Sequence, residues 1–361
     1  MTVDKVAPAN IPIVDLALLS GTPEEQKAAF ELLDFAFSSC GFVYLSNHGI
    51  SQKLIDEAWS YSKRFFHLPT DAKLSILHPP DGDADDHRGF VPDGLTYVSQ
   101  LVFEEDKIQE LRKTTPERKQ SLEMGNPHPY VGPNVAKNRL PSEEQLPGFE
   151  AFIEKWFDAI TELNHTLLRC CSRALELPDE NYLSRSQQRN NCHMTWNHFP
   201  GMKMSLLQDG SYRRLNPHTD FGQLTLLFPD PMGGLEVNDG QIYRPVEYKP
   251  GTMVVNVGDL MERQTNGRWK SSLHRVVAPE NLVGHINGNG AESLAAERYS
   301  FVYFGSPDPE SIVKTLPGCE AKGRWEPSVV QAGDDEVTCA EWIAKRVAAE
   351  FLGPAAAEAK A

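Results

Sequence analysis

The sequence predicts a mainly β fold with flanking helices, its chemistry carried by a β-sandwich or barrel between about residues 193 and 305. Three observations lead there. Short β-rich runs alternate with turn clusters through that region: MTWNHF, KMSLL, QLTLLF, GLEV, TMVVNV, HRVV and RYSFVYF. Ahead of it, from Pro147 to about Leu177, apolar residues recur at helical spacing (Phe149, Phe152, Ile153, Trp156, Phe157, Ile160, Leu163), which predicts a long amphipathic helix over the back of the fold. The composition of the 361 residues, 40% hydrophobic and 24% charged, is ordinary for a globular chain and supplies one large core.

The elements follow in order. After a short apolar stretch, Ile11 to Leu16, the run Thr22-Pro23-Glu24-Glu25 places a capping hydroxyl, a proline at the first helical position and a glutamate three places on. A helix to about Cys40 follows from it. Gly41 to Leu45 reads as a strand, Asn47-His48-Gly49 as a turn, and Ser51 to Phe66 as a second helix stopped before Pro69. Residues 78–100 are rich in proline, glycine and acid, which marks a long irregular connection of the kind that lines binding sites. It is not a calcium loop: Asp86 stands where glycine is needed, and Pro92 where the bidentate glutamate belongs. A last helix, about Cys339 to Phe351, precedes an Ala-rich tail. These pieces are expected to form one catalytic unit: 1–120 as an N-terminal helix-and-strand region packed on the core, 121–192 as connecting and backing helices, 193–310 as the catalytic core, and 311–361 as a C-terminal helix and tail.

A formal net charge of -15 gives a field that repels phosphate backbones and anionic membrane surfaces, so neither nucleic acid nor membrane is an expected partner. The opening MTVDKVAPAN lacks the basic and apolar regions of a secretory signal, and no apolar run is long enough to span a bilayer. A cytoplasmic protein is the expectation. The six cysteines (Cys40, Cys170, Cys171, Cys192, Cys319, Cys339) show no CxxC spacing and read as reduced structural thiols.

His218-Thr219-Asp220 puts an imidazole and a carboxylate two positions apart, on one face of an extended chain and about 6.6 Å from each other. Side chains leaning inward from that spacing can share one cation. The best candidate for a third ligand is His274, which opens the β-branched run HRVV after the turn at Asn266-Gly267. Two histidines and a carboxylate on one side of a metal leave positions for a bidentate co-substrate and O2, as a non-haem iron(II) oxygenase requires, although a zinc hydrolase uses the same ligand types. Downstream, Arg298 and Ser300 share a strand face with Val302 and Phe304, while Tyr299, Phe301 and Tyr303 point away. A guanidinium on an otherwise apolar face is costly unless it meets an anion, so the pair reads as a carboxylate clamp.

With these residues in place the chain resembles the 2-oxoglutarate/Fe(II)-dependent dioxygenase superfamily, in the branch of isopenicillin N synthase and the plant and fungal small-molecule oxygenases. The resemblance runs through IPIVDL (11–16), GFVYLSNHGI (41–50), FFHLP (65–69), NHFP (197–200), NPHTDFGQLTLLF (216–228), GGLEV (233–237), VNVGDLMERQTNGRWKSSLHRVV (255–277) and RYSFVYF (298–304). It implies a double-stranded β-helix (jelly-roll, cupin-like) core, Fe(2+) on His218, Asp220 and His274, and 2-oxoglutarate on Arg298 and Ser300. O2 is then the second co-substrate. The reaction implied is hydroxylation, desaturation or cyclisation of a small organic molecule, in specialised metabolite biosynthesis. By the same resemblance Asn197 contacts the co-substrate, whereas Phe199 stands where the family often has a tyrosine. The insertion NLVGHINGNGAES before Arg298 is a second departure and reads as a surface loop. Phe90, Tyr97 and Phe304 are candidates for the substrate pocket. An Fe(II) oxidase that does without 2-oxoglutarate is the alternative reading, and a catalytically dead ligand-binding protein is the alternative of another class.

Overall fold

The computed structural model describes residues 6–79, 86–96, 110–111, 113–128, 136–278, 283–284, 294–320 and 337–352. Fifteen strands are described, in three sheets: β1 (Ile13–Asp15), β2 (Phe42–Ser46), β3 (Gly89–Val91), β4 (Gln120–Gly125), β5 (His193–Phe199), β6 (Met202–Lys203), β7 (Leu215–His218), β8 (Leu224–Pro229), β9 (Leu235–Asn238), β10 (Tyr243–Pro245), β11 (Thr252–Val257), β12 (His274–Val276), β13 (Val283–Gly284), β14 (Leu294–Ala295) and β15 (Arg298–Gly305). The large sheet runs β1-β2-β11-β8-β15-β5-β4-β3, and a smaller one runs β10-β9-β12-β7.

The large sheet is two-faced because its strands alternate. On β15, Tyr299, Phe301 and Tyr303 face a helical layer, with Phe301 4.9 Å from Trp196 and 5.7 Å from Trp156, ring centre to ring centre. Trp156 belongs to the 26-residue helix Phe149–Ala174, whose apolar stripe includes each residue that sets the helical period in the sequence. The other β15 face, Arg298, Ser300, Val302 and Phe304, turns toward a cavity. Strand β2 does the same, sending Val43 and Leu45 into the helical core and Phe42 and Tyr44 into a second apolar cluster with Leu235 and Val237 of β9.

The helices begin where the sequence places their caps. The first spans Pro23–Ser39 with the full reciprocal Thr22/Glu25 box, and the second spans Gln52–Phe66 with Ser51 accepting from the Leu54 amide. Three expectations are corrected. KMSLL does not form a strand: only Met202–Lys203 pairs, and Met204–Gln208 is a short helix. Of its residues Met204 alone is buried, so no second sheet face holds the segment extended and its helix-favouring residues prevail. Within 78–100, read as irregular, β3 forms and joins the sheet edge through β4, itself absent from the sequence reading because QSLEMG carries no β-branched or aromatic residue. The described parts of the 281–293 insertion are not plain loop either, since β13 pairs with β14 and β14 with β6. The acidic residues Asp81, Asp83 and Asp85 lie outside the described residues, and Asp86 forms a two-bond pair with Arg139. The last helix is Cys339–Leu352. No helix among the described residues is long and apolar enough to cross a membrane.

Candidate active site

A cavity of about 460 Å³ opens between the two sheets. Strand β7 ends at His218 and β12 starts at His274, and the two residues are register partners in the small sheet, their rings 4.3 Å apart. Asp220 follows β7 in the tight connection to β8. Its Oδ1 lies 3.9 Å from His218 Nε2 and 3.6 Å from His274 Nε2.

Hydrogen bonds fix what these atoms offer. His218 Nδ1 donates to the Asn216 carbonyl at 2.8 Å and His274 Nδ1 to the Ser272 carbonyl at 3.1 Å. A carbonyl can only accept, so in each neutral ring the Nε2 lone pair is left aimed at Asp220. Burial first, and then the neighbouring His274, pull the His218 pKa down to about 3, which keeps the ring neutral. Burial alone would raise the Asp220 pKa. The positive charge that the two imidazoles carry when protonated, together with hydrogen bonds from Asn256 and Thr225, outweighs it, and the carboxylate is held below its usual range. Three converging lone pairs, two neutral and one anionic, fit a divalent cation, and each ring nitrogen that turns away is already anchored.

The loop carrying Asp220 is pinned from several sides. Asn256 of β11 donates to Asp220 Oδ2 at 2.6 Å, and the Asp259 amide donates to the Asp220 carbonyl at 2.8 Å. The C-terminal helix closes over it: Trp342 donates to the Phe221 carbonyl, and Arg346 pairs with Asp259. Gly258 is needed for this closeness, because a Cβ there would collide with the Gly222 carbonyl and stand 3.1 Å from that of Asp220. Gly258→Ala is therefore expected to lower the melting temperature and to weaken divalent-cation binding at this group about tenfold, although it touches none of the three side chains. Thermal unfolding with a metal titration checks this, and no change in either would contradict it.

Arg298 lies across the cavity, 1% exposed. Its Nε donates to the Gly233 carbonyl at 2.7 Å, Nη1 reaches Ser300 Oγ at 3.4 Å, and its guanidinium lies 5.1 Å from the centre of the Phe199 ring. Among the described residues no carboxylate pairs with it. Burial pulls its pKa down to about 10, opposed by Asp230, so the group remains a cation at neutral pH. Asn197 on β5 is opposite Ser300, and its buried Oδ1 accepts no hydrogen bond among the described residues. The arrangement offers a carboxylate a fork, a hydroxyl and an amide within one pocket.

Of the proposed substrate contacts, Phe304 lines the cavity. Phe90 does not: it packs in the helical core, its ring 6.2 Å from that of Phe65, because it faces away from the cavity on β3. Tyr97 lies outside the described residues. His48, His67 and His198 are not in the cavity wall. Sequence reading missed Asn256, whose polar side chain in the apolar run TMVVNV was the available signal. It also missed a second His-Glu-His group, His87, Glu123 and His193, at the Phe304 end of the cavity. There Glu123 accepts from Ser121, Thr195 and His193, so His193 Nε2 presents a proton rather than a lone pair.

Residues 11–147 match the family described as non-haem dioxygenase in morphine synthesis N-terminal, and residues 188–307 match the 2OG-Fe(II) oxygenase superfamily. The chain is 39% identical over 352 residues to 2-oxoglutarate-dependent dioxygenase lolO1 of Epichloe uncinata, covering 96% of each protein. It is 34% identical to proline hydroxylase buaE of Petromyces alliaceus, over 82% of this chain and 87% of that protein. Among solved structures, a full-length Neurospora crassa protein crystallised in complex with alpha-KG and thymine is similar at a TM-score of 0.79 and 27% identity, over 96% of this chain and 99% of that one. The chain belongs to the 2OG-Fe(II) oxygenase superfamily, with its jelly-roll core, and is a 2-oxoglutarate-dependent dioxygenase that uses Fe(2+) and O2 to oxidise a small organic molecule.

Proposed function

We propose that His218, Asp220 and His274 hold the iron, that Arg298 and Ser300 hold the far carboxylate of 2-oxoglutarate with Asn197 beside it, and that the Phe304 end of the cavity receives the substrate. The observation that carries this is the pair of fixed tautomers, which leaves two imidazole lone pairs facing one carboxylate in the same cavity as a buried guanidinium without a carboxylate partner. Iron(II) with 2-oxoglutarate and O2 supplies the oxidising power for hydroxylation, desaturation or cyclisation at a C–H bond.

The chain's own part is placement and exclusion of water. Arg298 and Phe304 stand six residues apart on one strand face, about 20 Å at roughly 3.3 Å per residue, which allows a co-substrate at one end and a second molecule at the other. Val302 and Leu227 make the wall between them apolar, and the C-terminal helix covers it with Ile343, Ala344 and Val347. Such a wall keeps bulk water from a reactive centre. The cavity volume favours a small substrate. The names of the relatives include a proline hydroxylase, and the neighbouring structure holds thymine, so a compact ring compound in specialised metabolism is the reading we favour. The six free cysteines, five of them buried, suit the cytoplasm.

The test is an anaerobic titration of the metal-free protein with iron(II) and then 2-oxoglutarate, followed by the visible metal-to-ligand charge-transfer absorption. A band that needs both additions is expected. Iron binding with no band would point to an oxidase that does not use the keto acid, and absence of iron binding would remove the triad.

A further inference from the structure

Lys119 is a largely buried lysine in the cavity wall for which the clamp just described leaves no role. It directly precedes β4, whose alternation sends Leu122 and Met124 into the helical core and leaves Glu123 in the cavity wall. Two such steps back from Glu123, Lys119 also lines the cavity, only 8% exposed. Pairing of Gln120 with His198 and of Ser121 with Asn197 places Lys119 next to Phe199, which is itself the partner of Arg298. Lys119, Phe199 and Arg298 thus make one row across three strands. At about 4.8 Å per strand the two cationic residues start roughly 10 Å apart and both project into the same space.

Among the described residues Lys119 makes no hydrogen bond and no ion pair; a charge that bears on it from farther off is that of Glu123. The contrast is Lys73, equally buried at 8%, whose ammonium donates to the Phe66 carbonyl and to Gln120. The Lys119 amine is thus a donor left open toward the cavity, and it stands beside the position where Phe199 offers no hydroxyl.

We infer that Lys119 is a carboxylate-binding residue for 2-oxoglutarate, a donor additional to Arg298 and Ser300 that reaches the co-substrate from beside Phe199. The inference rests on Arg298 and Ser300 being the co-substrate clamp. It makes Lys119 a co-substrate contact and not a metal ligand, so iron(II) affinity without the keto acid does not depend on it.

The experiment is the anaerobic charge-transfer titration with 2-oxoglutarate on iron(II)-loaded wild type, Lys119→Met, Lys119→Gln and Lys119→Arg. Loss of a charge-assisted hydrogen bond predicts an apparent Kd about ten- to a hundredfold higher in the Met and Gln variants, with most of the affinity restored by Arg. Iron(II) affinity and melting temperature without 2-oxoglutarate are expected to match wild type. A Kd within twofold of wild type in folded Met and Gln variants overturns the inference while leaving the proposed function standing. A wild-type protein that binds iron but shows no band overturns the proposed function, and the inference with it. If Lys119→Met does not fold, Lys119→Gln and Lys119→Arg still decide the outcome, since they share the chain length but differ in charge.

Discussion

Replacing His218 with alanine is expected to cost more than about a hundredfold in iron(II) affinity and to remove both the charge-transfer band and turnover. Both remaining ligands would still be oriented, His274 by the Ser272 carbonyl and Asp220 by Asn256. Two ligands cannot replace the third at an open three-ligand site. The control is His193→Ala, which tests the rival group of His87, Glu123 and His193. Because Glu123 accepts from three donors, one of them His193 Nε2, and is held ionised well below the usual carboxylate range, that group is a hydrogen-bonded polar cluster as it stands. Iron stoichiometry should fall in His218→Ala and hold in His193→Ala. The reverse result would move the metal to the other end of the cavity.

Arg298→Ala should act on the other half of the site, raising the apparent Kd for 2-oxoglutarate by about a hundredfold or more while leaving iron(II) binding intact. The reason is burial. At 1% exposure the guanidinium has no water to fall back on, and its protein partners are a neutral carbonyl and a hydroxyl. Removing it also lifts the cost of an uncompensated buried charge, so the ligand-free variant should be no less stable than wild type, and the rise in melting temperature that 2-oxoglutarate gives wild type should vanish. Arg298→Lys should recover only part of the affinity, because an ammonium lacks the planar fork and cannot keep the Nε bond to Gly233 while meeting a carboxylate. A 2-oxoglutarate affinity unchanged in Arg298→Ala would show that the carboxylate binds elsewhere, and would remove the premise of the Lys119 assignment as well.

Much of the framework was readable in one dimension because its causes are local. The capping box at Thr22, the helical period from Phe149 onward and the alternation of β15 each depend on neighbours a few residues away. The same holds for His218 and Asp220, which are close in sequence, and for Arg298, whose charge breaks an apolar strand. What escaped the sequence was set by distant partners. Strand β4 has weak strand propensity and exists because β5 and β3 flank it. Phe90 looks like a pocket aromatic in a loop until its strand turns it into the core.

By itself, then, the sequence determined the residue types of the proposed site and much of the order in which strands and helices deliver them, since periodicity, capping and charge placement are properties of short segments. Only the tertiary structure decided which lone pair of each histidine faces inward, that Asn256 and the C-terminal helix hold the Asp220 loop, and that Lys119 and Arg298 share one row. Those facts depend on hydrogen bonds and strand register between segments as far apart as Lys119 and Arg298, and no local pattern encodes them.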